Sequence, residues 1–101
     1  MAAHIKSSGD IESIISSPDI TAGDTASLVF RTWDDVSPPF MIKVKDPTGK
    51  TVVDRVLREL PTGRPQSSPP LSFTTTQPGA YNIHIRELYG KVEGEAVLTI
   101  P

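Results

Sequence analysis

The chain has 101 residues, a formal net charge of −2 and no cysteine. That length suits a single domain with one hydrophobic core. The charge balance argues against the clustered basic surface that nucleic acid or an anionic membrane requires, and the absence of cysteine excludes disulfides, thiolate zinc sites and a cysteine nucleophile.

Residues 1–10 are polar and predict a frayed tail, with the domain proper at 11–101. The opening MAAHIKSSGDIES has no apolar core and is not a signal peptide. No apolar run is long enough to span a bilayer, so no direct membrane insertion is expected. The expectation is a module cut from a longer extracytoplasmic or lumenal protein, although a cytoplasmic chain is also compatible, so the compartment stays open.

Ile11 to Ile15 is a candidate first strand, ended by Ser17-Pro18. Thr21 to Asp24 is a turn. Residues 25–32 place Ala26, Leu28 and Phe30 on one face, so they predict a half-buried strand. Trp33 to Pro39 is a loop, because paired prolines cannot continue a ladder. Phe40, Ile42 and Val44 then alternate with Met41, Lys43 and Lys45 in the cleanest strand of the chain. In Asp46-Pro47-Thr48-Gly49 the proline presets φ and the glycine accepts positive φ, which predicts a tight turn.

Residues 50–60 return as a strand. Val52, Val56 and Leu60 also fit helical spacing, but the β-branched content favours the strand. Residues 61–70 hold four prolines and predict an extended, passive loop. Strands follow at 71–75, 80–87 and 92–100, the middle one with Tyr81, Ile83 and Ile85 facing inward. The core is expected from Leu28, Phe30, Phe40, Ile42, Val44, Leu71, Phe73, Tyr81, Ile83, Ile85, Leu98 and Ile100. Seven strands separated by turns predict an all-β fold, a two-sheet antiparallel sandwich.

The chemistry-bearing residues are sparse. Gly49-Lys50-Thr51 echoes the end of a phosphate loop, but Val44 stands where the first glycine belongs and a strand follows. His4 lies in the tail, and His84 points outward with no second ligand at metal spacing. Asp34-Asp35 lacks the D-x-D spacing of a calcium loop; Asp19, Asp24 and Asp46 join it only if the fold brings them there. Arg64 to Pro69 has the R-x-x-S-x-P outline of a phosphoserine docking site and reads as a chance match in a proline-rich connection. No serine has a base at a suggestive position, so no enzyme and no cofactor is expected. Trp33 is the sole tryptophan. Either it fills the core, or it sits in the loop with Asp34, Asp35, Pro38 and Pro39 as a partner contact for a protein or a sugar.

Taken together, ITAGDTASLVF, PPFMIKVKDPTGKTV, LSFTTTQPGAYNIHI and EGEAVLTIP resemble immunoglobulin-like modules, the broad group of bacterial Ig-like, filamin and macroglobulin-type domains. SPPFMIKV with QPGAYNIHI also resembles lumenal Ig-like repeats of the pore-membrane protein of the nuclear pore. VKDPTGK with LSFTTT and GAY resembles GOLD domains of secretory cargo receptors. The Ig-like resemblance implies that Pro78, Gly79 and Tyr81 form a tyrosine corner whose hydroxyl bonds back to upstream backbone. It implies a non-catalytic spacer or protein-contact repeat within a larger assembly. The other reading is a carbohydrate- or peptide-binding module using the Trp33 loop.

Overall fold

A computed structural model describes residues 2–58, 66–68 and 70–101. In chain order the strands are β1 (His4–Gly9), β2 (Glu12–Ile15), β3 (Thr25–Thr32), β4 (Phe40–Lys45), β5 (Thr51–Leu57), β6 (Gln66–Ser67), β7 (Leu71–Thr74), β8 (Gly79–Glu87) and β9 (Glu93–Ile100). They form two antiparallel sheets packed as a β-sandwich. The larger runs β1-β9-β8-β4-β5, and in the smaller β3 is flanked by β2 on one side and by β6 and β7 on the other. All seven expected strands are present, and the 50–60 segment is extended from Thr51 to Leu57. Leu60 lies outside the described residues.

Two strands were not expected. Residues 4–9, read as frayed tail, pair with β9 from His4 opposite Thr99 to Gly9 opposite Gly94. The polar residues of HIKSSG hid this strand, because the backbone ladder does not require apolar side chains. Residues 66–67, read as part of a passive loop, pair with Thr32 and Arg31. Ser68 extends the match: its N–H donates to Phe30 O at 2.8 Å, and its Oγ accepts from Phe30 N at 3.0 Å. Ser68 is thus buried, and this part of the proline-rich segment belongs to the sheet. Of the phosphoserine outline, Ser67 is half-buried in the ladder, while Arg64 and Pro69 lie outside the described residues.

All twelve residues expected in the core are buried. Ala3, Ile11, Ile20, Ala26, Val53 and Ala96 complete it. The alternation along β4, β8 and β9 sends every second side chain inward, which is how a strand buries one face and solvates the other. The Asp46 to Gly49 turn closes as its composition predicts. Gly49 has φ of +89° and its N–H donates to Asp46 O at 2.9 Å.

At the corner before β8, the Tyr81 ring is buried and tilts against Phe73 with centroids 5.9 Å apart. Its hydroxyl donates to Gln77 O at 2.8 Å and accepts from the N–H groups of Thr76 and Gln77, both at 3.2 Å. A large ring is therefore buried with its polar end satisfied. Gly79 has φ of +125°, and a Cβ there would stand 3.0 Å from Pro47 Cγ, so this position needs glycine on two counts. Pro78 is exposed at the turn.

Candidate functional site: one loop pole

Three connections meet at one pole of the sandwich: the β1–β2 turn at Asp10, the β3–β4 loop at 33–39 and the β8–β9 loop at 88–92. Hydrogen bonds tie them together. Thr32 Oγ1 donates to Asp10 O at 2.8 Å, Asp10 N–H to Glu93 O at 2.8 Å, and Leu88 N–H to Pro39 O at 2.9 Å.

Glu87 is the side chain that organises this pole. It is buried at the end of β8. Its Oε2 accepts from Ser37 N at 2.9 Å, and its Oε1 accepts from Val92 N at 3.0 Å. One carboxylate thus holds both the 33–39 loop and the 88–92 loop. Gly90 lies against it so closely that a Cβ would fall 2.5 Å from Oε1. The sequence reading missed Glu87, because a lone glutamate ending a strand carries no local signal of burial. Val36 packs on the core and anchors the middle of the first loop.

On this framework Trp33 is 66% exposed and Tyr89 is 88% exposed. Trp33 therefore does not fill the core; it follows the last residue of β3, beyond the buried Thr32. Asp34, Asp35 and Pro38 are exposed beside it, and Pro39 is half-buried with a cis bond from Pro38. Asp34 N–H donates to Thr32 Oγ1 at 3.1 Å, which fixes the first turn of the loop. Tyr89 is the second residue that sequence reasoning missed. Only the meeting of the two loops gives it significance.

The remaining acidic candidates stay apart. Asp24 N–H donates to Thr21 O and Asp46 closes its turn at the opposite pole, where Asp19 also lies, so none of them approaches Asp34 and Asp35. Among the described residues no group of three or more His, Asp or Glu side chains is placed to hold a metal. Asp46 has a structural task. Its Oδ1 accepts from the Thr48 hydroxyl at 2.6 Å, Thr48 N at 2.9 Å and Lys50 N at 3.0 Å. The Thr48 hydroxyl bond above all, with the backbone bonds from Lys50 and Thr48, holds its carboxyl below the usual range against an opposing desolvation.

The outer face of the larger sheet holds a depression of about 440 Å³ lined by Lys6, Lys43, Lys45, Asn82, His84 and Glu95, among others. Across the strands Asp54, Lys43, His84 and Glu95 stand in one row. The row mixes two carboxylates at its ends with a lysine and a histidine between them, as on a solvated sheet face. His84 Nε2 lies 3.3 Å from Glu93 Oε2, a carboxylate neighbour supplied by β9.

No family model matches the chain, and neither a curated protein nor a solved structure does.

Proposed function

We propose that this chain is a non-catalytic interaction module of the immunoglobulin-like kind, and that its contact surface is the pole carrying Trp33 and Tyr89. The observation that carries the reading is the exposure of two large aromatic side chains on loops that one buried carboxylate ties together. Aromatic side chains offer large contact area with few rotatable bonds, and loops already held in place lose little entropy on binding. Asp34, Asp35 and Pro38 form the polar rim of the same surface.

Ala3 and Pro101 lie together at the far pole, because β1 and β9 pair antiparallel from His4 opposite Thr99, so the aromatic pole is clear of both.

A carbohydrate partner is the second reading, favoured by Trp33 lying exposed beside two carboxylates. An NMR titration separates the two. Amide shifts confined to residues 33–39 and 88–92 on adding soluble oligosaccharides, lost in Trp33→Ala, select the sugar. Shifts at the same residues on adding neighbouring domains or protein partners, with none from sugars, select the protein contact. Turnover of a substrate that vanishes on substituting Asp34, Asp35 or His84 would overturn the non-catalytic reading.

A further inference from the structure

Among the described residues the two sheets have four edges, formed by five strands, and three of these edges are blunted. On β2, Ser13 N donates to Ser7 Oγ and Ser7 Oγ donates to Ser13 O, both at 3.0 Å, so one hydroxyl occupies both edge groups. β1 carries Lys6, a charge of the kind that discourages edge pairing, and at its start Ala3 N–H is taken by Pro18 O at 2.8 Å. The third edge is split between β6, two residues long, and β7, four residues long. Short or plugged edges resist pairing.

β5 differs. It is seven residues long, pairs only with β4 among the described residues, and has a regular ladder from Val53 to Leu57 beyond a bulge near its start. Val56 is 43% exposed on it. Asp54 stands opposite Lys43 on one side and, among the described residues, has no strand beside it on the other. A cation on an added strand would face Asp54 as Lys43 does from the other side.

We propose that the free edge of β5 accepts an extended strand from another protein, antiparallel, with a basic residue opposite Asp54, an acidic one opposite Arg55 and apolar residues opposite Val53, Val56 and Leu57. Main-chain bonds to the edge supply affinity, and the side-chain row supplies selection. A second copy of this chain fits poorly. Two-fold antiparallel pairing places each residue opposite one of the same facing, so Asp54 never meets Arg55. The register that overlaps all seven residues sets Asp54 against Asp54, and the one centred on the regular ladder sets Arg55 against Arg55.

The test uses the whole chain and two synthetic peptides, TVVEKVT and its charge-exchanged form TVVKEVT. The first is expected to shift the amides of Thr51 to Leu57 and to bind about fivefold more tightly than the second. In Asp54→Lys with Arg55→Glu the order of the two peptides is expected to reverse, while the unfolding midpoint verifies that the variant is folded. Equal binding of both peptides, shifts centred on another edge, or no shift at millimolar peptide would overturn the proposal. So would a concentration-dependent dimer paired through β5 without peptide.

Discussion

Ser7 Oγ takes both backbone polar groups of Ser13, donating to its carbonyl oxygen and accepting from its N–H at 3.0 Å. A side chain of one sheet thereby ends the ladder of the other. Ser13 and Phe30 stand opposite each other, and Phe30 in turn gives its N–H to Ser68 Oγ, so serine hydroxyls complete this row at both ends.

Ser7→Ala should leave two backbone groups short of partners, at a cost of about 1–3 kcal/mol. The urea midpoint measures it. The same variant uncovers the β2 edge, so it should also associate at concentrations where the parent stays monomeric.

Tyr81→Phe removes only the hydroxyl that serves Thr76 and Gln77. It should cost about 1 kcal/mol, or slightly more because two N–H groups lose their acceptor. Tyr81→Ala also empties a buried site against Phe73 and should cost about 3–5 kcal/mol. A harmless Tyr81→Ala in urea unfolding would contradict the packing described.

Asp46 gives the fold an acid-side dependence. Its folded carboxyl titrates below its ordinary value of 3.8. A depressed folded pKa contributes stability that is fully present above the unfolded value and is lost as pH falls through the folded one. Unfolding midpoints should therefore drop as pH is lowered below about 3.8. Asp46→Asn, which cannot titrate, should show a shallower decline over that window.

Glu87→Gln tests the tie between the two loops. An amide oxygen replaces one carboxylate oxygen and an NH2 group the other, so only one of the Ser37 and Val92 N–H groups keeps an acceptor. The expected loss is about 1–3 kcal/mol. Hydrogen exchange should accelerate at Ser37 or Val92, with the amides of β4 and β9 unchanged relative to the shifted global stability.

The strands and their inward faces were legible because alternation reports burial directly: Phe40, Ile42 and Val44, or Tyr81, Ile83 and Ile85, could face only the core. The Asp46 to Gly49 turn and the Tyr81 corner were legible because their residue types answer local geometric needs. β1 was not, since HIKSSG pairs through backbone while its side chains stay polar. Nor was Ser68, whose two bonds to Phe30 span 38 residues. The Trp33 loop was legible as a loop, but the exposure of Trp33 was not, and Glu87 and Tyr89 gain meaning only where two distant loops meet. The final strand, β9, lies between β1 and β8, because the polar β1 that the sequence hid takes the outer place beside it.

Contact through the aromatic pole is tested most directly by site-specific photo-crosslinking in the protein's native extract. p-Benzoylphenylalanine is placed at Tyr89, at Trp33, or at Asn82 on the outer face of the larger sheet. Adducts that form from positions 89 and 33, carry the same partner and are missing from position 82 are the predicted result. Adducts from position 82 with none from the pole would contradict it.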